Sequence, residues 1–203
     1  MPVFSPSNKP VSLKETIIID EGKMLRIKIF GIFILLFASI IVSAQEKKQA
    51  PAAVSYVDLK KYSGLWYEIA KIPNSFQDQC AYGTTAEYKI NEDGEIEVIN
   101  KCYDEEGEPD VAEGVAQVVD KKTNAKLEVS FVSFLGIRPF WGDYWIIGLD
   151  ENYNWAVVGT PNRKYGWILS RTPALPDETM KIIFSVLRKN GYNTEDFEMT
   201  IQK

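Results

Sequence analysis

Eight short stretches of extended character follow one another between residues 65 and 171, each bounded by turn-forming residues and with no helical pattern between them. Residues that favour strands fill them, and Asp93-Gly94, between the second and third, suits the positive φ angles of a tight hairpin. Strands joined by short connections pair antiparallel, so the pattern predicts an all-β domain in which consecutive strands are neighbours. The predicted strands are residues 65–72, 82–90, 95–102, 111–120, 126–133, 143–149, 155–160 and 167–171.

A single helical pattern follows the last of these strands. Its apolar residues recur at the spacing of one helix face and are Met180, Ile183, Phe184 and Leu187. Pro176 suits the first helical position, and Gly191 is expected to end the helix. Alternation over residues 197–201 then predicts a short final strand.

Eight antiparallel strands form either a two-sheet sandwich or a closed barrel, and the position of Trp66 bears on this choice. Gly64 frees the backbone where the first strand begins, so the bulky indole of Trp66 can turn inward at once. An ordinary buried tryptophan of a sandwich is the alternative. Closure removes exposed sheet edges, and eight strands leave room for one small ligand. The early tryptophan and the single late helix favour the barrel, with the final strand on its wall.

The composition excludes several classes of function. The chain has a formal net charge of −5, so we expect no nucleic-acid partner, because phosphate binding needs a basic surface. It contains no histidine, which removes the usual general base and nearly every zinc site. Its two cysteines cannot supply a four-cysteine metal site either. We therefore expect no metal ion and no cofactor.

The N-terminal region has the order of an export signal. Met24 is followed by two basic residues, an apolar run over residues 29–42, and the small residues Ser43 and Ala44. This order predicts a Sec signal peptide over residues 24–44; a membrane-spanning helix is the alternative, although it needs about 20 apolar residues. We expect residues 1–23 to be a non-native or disordered extension before the true start, residues 45–55 to be a linker, and residues 56–203 to form the domain. No cysteine follows the apolar run, so we expect an exported protein without a lipid anchor, periplasmic, associated with the outer membrane or secreted.

Three motifs resemble the signatures of the lipocalin family. Gly64-x-Trp66 matches the first, residues 149–158 match the second between the sixth and seventh strands, and residues 167–173 match the third. They occur in the family's order, and a helix follows the third. From about residue 57 the chain is similar to lipocalins, and most to the branch of bacterial outer-membrane lipocalins and apolipoprotein D. This resemblance implies an eight-stranded antiparallel up-and-down β-barrel, or calyx, with a C-terminal α-helix and a short final strand.

The resemblance also implies which residues close one end of the barrel. Trp66 should fill this end, with the guanidinium of Arg171 across its indole, a contact of about 1–2 kcal/mol when partly buried. The other residues of this closure are Gly64, Asp150 and Tyr153. Glu68 should also face inward by alternation; because burying a carboxylate alone is costly, we expect it to pair with Arg171 or a tyrosine, or the strand to bulge.

Ligand selectivity is expected to come from inward side chains. On the sixth strand either Tyr144 or Trp145 should face inward, because a bulge would reverse the alternation. An apolar lining suits an acyl chain, whose burial contributes about 0.8 kcal/mol per CH₂. Ordinary core packing is the alternative role of each candidate. The candidate ligand contacts are Leu127, Val129, Phe131, Tyr144, Trp145, Trp167 and Leu169.

The connection between the fifth and sixth strands, residues 134–141, is too apolar for an ordinary solvent-facing loop. We expect it at the open end of the barrel, where it either dips into a bilayer surface or folds over the cavity as a lid. At a bilayer, Arg138 would meet a phosphate or carboxylate, with a second headgroup contact from the connection between the seventh and eighth strands. The residues assigned to this surface are Phe134, Leu135, Ile137, Arg138, Phe140, Trp141, Arg163 and Lys164.

Cys80 and Cys102 lie near the outer ends of two strands joined by a hairpin. In an exported protein with two cysteines a disulfide is the default, closing a loop of about 22 residues and contributing about 3 kcal/mol. Two free thiols are the alternative. The pairing is not implied by the resemblance, because apolipoprotein D joins the cysteine at the Cys80 position to one near its C-terminus, which this chain lacks.

These observations predict a binding protein and not an enzyme. We expect an exported carrier of a small hydrophobic ligand, such as a fatty acid or lysophospholipid, with the resemblance suggesting cell-envelope lipid transport, storage or maintenance. One alternative is an interaction protein at the membrane surface with a filled barrel. Another is an enzyme on the same fold, although no histidine is present to activate a cysteine.

Overall fold

One antiparallel sheet of nine strands closes on itself because its first and second strands also pair. The computed structural model describes residues 49–203. The predicted extension, the predicted signal peptide and residues 45–48 of the predicted linker lie outside the described residues. The strands are β1 (Gly64–Lys71), β2 (Tyr82–Ile90), β3 (Ile96–Tyr103), β4 (Pro109–Val118), β5 (Lys126–Ser130), β6 (Gly142–Leu149), β7 (Trp155–Gly159), β8 (Gly166–Ser170) and β9 (Glu198–Met199).

Strands β2 to β8 pair in sequence order, and β1 lies between β8 and β2. This order confirms the predicted up-and-down barrel and excludes the sandwich. The predicted strands are all present, with ends shifted by a few residues. The largest difference is in β5, which ends at Ser130, before the apolar connection begins.

Within residues 49–203, two α-helices flank the barrel strands. Helix α1 (Leu59–Tyr62) begins after Asp58, whose carboxylate accepts hydrogen bonds from the backbone N–H groups of Lys60 and Lys61. Helix α2 (Asp177–Lys189) begins one residue after Pro176 and ends before Gly191, which has a φ of +77°. No helix within residues 49–203 is long and apolar enough to cross a membrane.

Helix α2 packs against the outside of the barrel through the apolar face that its periodicity predicted. Ile183 and Leu187 are fully buried there. A Cβ atom at Gly148 would lie 2.8 Å from Val186, so the glycine permits the close approach of this helix to β6. The barrel therefore has two apolar clusters, one in its interior and one beneath α2.

The final strand differs in part from its prediction. Strand β9 covers two residues and pairs with Ala70 and Lys71 of β1. Phe197 packs into the cluster beneath α2, but Met199 and Ile201 are exposed. Beyond Phe197, backbone pairing and side-chain hydrogen bonds hold this segment on the barrel.

Candidate functional site

The end of the barrel at which β1 begins is closed by Trp66 and Arg171. Trp66 is fully buried, and the guanidinium carbon of Arg171 lies 3.7 Å from the centre of its ring. The Nη1 atom of Arg171 donates to the carbonyl oxygen of Leu65 at 2.6 Å. Its Nη2 atom is within 2.8–3.0 Å of three further carbonyl oxygens, those of Lys61, Tyr62 and Ser63. The planar group thus covers the indole and also joins helix α1 to β1.

The second motif lies at the same end. The Asp150 carboxylate accepts hydrogen bonds from the backbone of Asn152 and Asn154, which shapes the turn between β6 and β7. Tyr153, at a φ of 61°, accepts a hydrogen bond at its hydroxyl from the backbone N–H of Asp58. This turn therefore holds the start of helix α1 against the closed end.

Three buried tyrosines lie in the interior above this closure. The hydroxyl of Tyr144 is 2.7 Å from that of Tyr62 and 2.8 Å from that of Tyr88. Burial raises the pKa of Tyr88 to about 12 and raises the pKa values of Tyr62 and Tyr144 well above their ordinary value of 10.0. All three hydroxyls therefore stay neutral at physiological pH, and they form the polar part of an otherwise apolar floor.

A cavity of about 630 Å³ lies between this floor and the other end of the barrel. Its volume is within the range of roughly 300–1,000 Å³ that ligand sites occupy. Most of its lining is apolar or aromatic and includes Ala86, Tyr88, Val98, Val129, Phe131 and Leu169. Its polar residues come from several strands and from the connections that follow β1 and β7.

The structure brings five of the seven candidate ligand contacts to this cavity: Val129, Phe131, Tyr144, Trp167 and Leu169. Leu127 lies lower, in the packed core around Trp66. Trp145 does not line the cavity but packs in the cluster beneath α2, with the ammonium of Lys126 4.1 Å from its ring centre. On β6 the alternation thus places Tyr144 inward and Trp145 outward, which corrects the inward assignment of Trp145.

Glu68 faces the cavity, but its partners are not those expected. Its carboxylate accepts hydrogen bonds from Gln77 Nε2 at 2.7 Å and Thr200 Oγ1 at 2.6 Å, and Lys71 Nζ is 3.6 Å away. Arg171 instead donates hydrogen bonds to backbone carbonyl groups at the closed end. The register between β1 and β8 does shift between Glu68 and Ala70, which agrees with the expected bulge.

The C-terminal segment, residues 198–203, completes the wall beside Glu68. Strands β1 and β2 pair only over residues 64–67 and 85–88, and above this point they separate. Here the carbonyl oxygen of Ile201 accepts from the backbone N–H of Gly83 at 2.8 Å. The Gln202 side-chain amide donates to the carbonyl oxygens of Glu68 and Thr84, at 2.7 and 2.9 Å. The segment therefore fills the gap between the two strands at the level of the cavity.

The connection between β5 and β6 lies at the open end and presents its apolar side chains to solvent. Phe134, Leu135 and Ile137 are 71%, 86% and 68% exposed. Phe140 and Trp141 are also exposed but in addition line the cavity. Arg138 donates to the carbonyl oxygen of Ser130, which fixes the base of the connection. The tip of the connection does not fold over the cavity as a lid in this structure.

Arg163 and Lys164 are placed differently from each other. Arg163 Nε donates to the carbonyl oxygen of Asn190 at 2.6 Å, so this side chain is directed to the end of helix α2. The ammonium of Lys164 lies 5.1 Å from the ring centre of Tyr165, a residue of the cavity lining. Of the two, Lys164 is the one that remains near the opening.

Cys80 and Cys102 form a disulfide, as predicted, and both residues line the cavity. The bridge joins the connection before β2 to the end of β3. The bridge restricts the motion of the connection between β1 and β2, which carries Gln77. The Gln77 Oε1 atom accepts a hydrogen bond from Trp167 Nε1 at 3.0 Å. The bridge and this hydrogen bond together hold the connection between β1 and β2 beside the cavity.

Strands β2 and β3 contribute cavity lining that was not predicted from the sequence. Three alternate residues of each strand line the cavity: Thr84, Ala86 and Tyr88 on β2, and Val98, Asn100 and Cys102 on β3. Period-two alternation was the available signal on both strands. The candidate ligand contacts predicted from the sequence came from the fifth, sixth and eighth strands alone.

Known proteins of one family are similar to this chain along almost the whole described region. Residues 57–202 match the family model described as a lipocalin-like domain. Temperature-induced lipocalin-1 of Arabidopsis thaliana is 39% identical over 160 residues, covering 77% of this chain and 85% of that protein. Outer membrane lipoprotein Blc of Vibrio cholerae is 36% identical over 166 residues, covering 81% of this chain and 94% of that protein. Apolipoprotein D of Mus musculus is 36% identical over 163 residues, covering 77% of this chain and 82% of that protein.

A solved structure shows the same fold. Insecticyanin from the tobacco hornworm Manduca sexta superposes with a TM-score of 0.60 at 24% identity, covering 75% of this chain and 83% of that one. At this level of identity the likeness concerns the architecture.

Proposed function

This chain belongs to the lipocalin family, and from that premise we propose that it binds one lipid inside its barrel and carries it within the cell envelope. The observation that carries the proposal is the cavity of about 630 Å³, closed at the end that holds Trp66 and Arg171. An apolar, one-ended cavity favours a ligand with a hydrophobic tail, whose burial contributes about 0.8 kcal/mol per CH₂ before entropic losses. A fatty acid, a lysophospholipid or a related lipid has such a tail.

The proposed place of action is outside the cytoplasm. Disulfides persist mainly in oxidising compartments, and Cys80 and Cys102 are bridged. One similar protein is named an outer membrane lipoprotein. We propose that residues 24–44 act as a Sec signal peptide and that the domain works in the periplasm, at the outer membrane or outside the cell.

The direct test is to identify what the barrel contains. The protein is purified from its own envelope without detergent, extracted with solvent, and the extract is analysed by mass spectrometry. We expect one lipid class in near one-to-one amount with the protein. An empty extract, together with no binding of a fluorescent fatty acid by the extracted protein, would favour the interaction role instead.

The apolar connection between β5 and β6 supports a second part of the proposal, a transient contact with the bilayer. Three large apolar side chains that project into solvent at the open end are unfavourable in water and favourable in an acyl layer. A lipid that leaves a bilayer through this contact reaches the cavity without crossing water. Arg138, at the base of the connection, is the residue that we propose to meet a lipid phosphate.

Vesicle flotation tests the contact. We expect the double variant Leu135→Asp, Ile137→Asp to lose binding to phosphatidylethanolamine–phosphatidylglycerol vesicles while it retains the lipid in its cavity. These two positions are chosen because they do not line the cavity. Val119→Asp is the matched control: Val119 is 57% exposed and lies in the turn between β4 and β5, at the closed end. Equal flotation of the double variant and the control would contradict the contact.

The observations give less support to the other two functions. A barrel filled by its own side chains would not leave a cavity of about 630 Å³. A cysteine-based enzyme needs a thiolate, and both cysteines of the described region are in the disulfide. None of the three similar proteins is named for an enzymatic activity.

A further inference from the structure

Glu68 and Thr84 form a polar pair on the wall of the cavity. The pairing of Tyr67 with Thr85 is the last between β1 and β2, so one further step along the two strands sets Glu68 opposite Thr84. The Gln202 amide, which donates to the carbonyl oxygens of both residues, shows that their backbones flank one group. Both residues line the cavity, so both belong to the same part of its wall.

Thr84 has an unused hydrogen-bonding group. The residue is 7% exposed, and its Oγ1 atom has no hydrogen-bond partner among the described residues. Buried hydroxyl groups are almost always paired, because an unpaired one has lost its water without replacement. Thr84 lines the cavity, and a hydroxyl both donates and accepts, so this group is available to a polar group of a ligand bound beside it.

Glu68 has an acceptor site to spare. Thr200 and Lys71 both approach Oε1, whereas within residues 49–203 Oε2 accepts only from Gln77. A carboxylate oxygen has two lone-pair directions, so Oε2 can accept one more hydrogen bond. Glu68 is 3% exposed and lines the cavity, so a ligand group within the cavity is able to supply this donor.

We propose that Glu68 and Thr84 together bind a hydroxyl group of the ligand, which donates to Glu68 Oε2 and accepts from Thr84 Oγ1. This inference rests on the proposed lipid-binding function and narrows the ligand to neutral lipids that bear an alcohol, such as monoacylglycerols. A free fatty acid carboxylate meets the charge of Glu68 at this place, and Asp110 and Asp143 also line the cavity. Two ammonium groups offset part of this negative charge, since Lys101 is in the cavity lining and Lys71 Nζ lies 3.6 Å from Glu68 Oε1, but three carboxylates remain against them.

The test compares three lipids with one acyl chain. The delipidated protein is loaded with the neutral fluorophore N-phenyl-1-naphthylamine, which is then displaced by 1-monopalmitoylglycerol, palmitate or methyl palmitate. We expect monopalmitoylglycerol to displace the probe at about one tenth of the concentration that either of the others needs. Equal potency of the three overturns the hydroxyl subsite and leaves the lipid-carrier function standing. No displacement by any of them overturns both.

Variants of Thr84 locate the effect. Thr84→Val keeps the shape of the side chain and removes a hydroxyl that makes no hydrogen bond within the protein, so we expect it to fold normally. It should weaken monopalmitoylglycerol binding about 5- to 10-fold and leave methyl palmitate unchanged, whereas Thr84→Ser should restore the preference. Glu68→Gln should improve palmitate binding relative to monopalmitoylglycerol. An unchanged preference for monopalmitoylglycerol in Thr84→Val would overturn the proposal.

Discussion

The hydroxyl of Thr200 donates a 2.6 Å hydrogen bond to the carboxylate of Glu68, a residue 132 positions earlier in the chain. This bond ties the C-terminal segment to the cavity wall where β1 and β2 separate. The carbonyl oxygen of Ile201 and the side-chain amide of Gln202 bind the neighbouring backbone of β1 and β2. Residues 200–202 are therefore hydrogen-bonded to the two strands that carry the cavity wall at Glu68 and Thr84.

Deletion of residues 200–203 should accordingly open the wall. We expect the release rate of bound N-phenyl-1-naphthylamine to rise about tenfold, the equivalent of one or two hydrogen bonds, as measured by stopped-flow fluorescence. Lys203→Ala is the control, because it removes a side chain over the ring of Tyr82 and leaves the backbone and Gln202 contacts in place. A release rate equal to that of the control would show that the segment does not close the wall.

Arg171→Lys should destabilise the closed end although the charge is kept. A lysine ammonium cannot stack flat on the indole of Trp66 while it donates to four carbonyl oxygens. We expect the free energy of unfolding to fall by about 2 kcal/mol, measured by urea denaturation. Arg188→Lys, on the exposed face of α2, should change it by less than about 0.5 kcal/mol. Similar values for the two variants would argue against the stacking role.

Tyr88→Phe should reduce the loss of stability at alkaline pH. Burial raises the pKa of Tyr88 from 10.0 to about 12 in the folded protein. Between these two values the unfolded chain loses this proton first, so stability is fully present below pH 10 and falls as the pH rises towards 12. A difference of two pKa units corresponds to a contribution of about 2–3 kcal/mol to the free energy of unfolding, which is lost over this pH range.

Urea denaturation from pH 8 to pH 11.5 measures how the free energy of unfolding changes with pH. The difference in stability between wild type and Tyr88→Phe should shrink as the pH rises. Tyr56→Phe is the control, because Tyr56 is 59% exposed and its substitution should leave the slope of the wild type intact. Parallel curves for wild type and Tyr88→Phe would contradict the raised pKa.

Removal of the disulfide should lower stability and loosen the opening of the cavity. Cys80 and Cys102 close a loop with a sequence separation of 22 residues, which in the chain-entropy account contributes about 3 kcal/mol. We expect the double variant Cys80→Ala, Cys102→Ala to melt about 10 °C below the oxidised wild type. Reductant should lower the melting temperature of the wild type and leave that of the variant unchanged. A wild type that is insensitive to reductant would count against the bridge.

Alternation, helical periodicity and turn chemistry were enough to predict the strands and the helix, whereas the residues at the closed end were predicted from the resemblance to lipocalins. These signals are local, since a period of two or 3.6 and a turn dipeptide each occupy a few consecutive residues. Alternation alone did not decide between Tyr144 and Trp145, because it defines two faces and not which of them is inside. Long-range pairing of β6 with its neighbours made that choice.

The partners of Glu68 show a second kind of limit. A buried carboxylate predicts that some donor must be near, and the sequence offered Arg171 as a charged residue of the matching motif. Arg171 is instead held by the carbonyl groups near Trp66, and Gln77 and Thr200 reach Glu68. Neither amide nor hydroxyl carried a distinguishing signal in the sequence, because both residue types are common on surfaces.

By itself, the sequence determined which segments become strands and where they turn, and its resemblance to lipocalins implied that an indole and a guanidinium meet at one end of a barrel. Only the tertiary structure decided that the C-terminal residues complete the wall, that Thr84 is left without a partner, and that a cavity remains above the tyrosines. The physical reason is that propensity and periodicity act between near neighbours, whereas a cavity is what remains when side chains distant in the chain have packed.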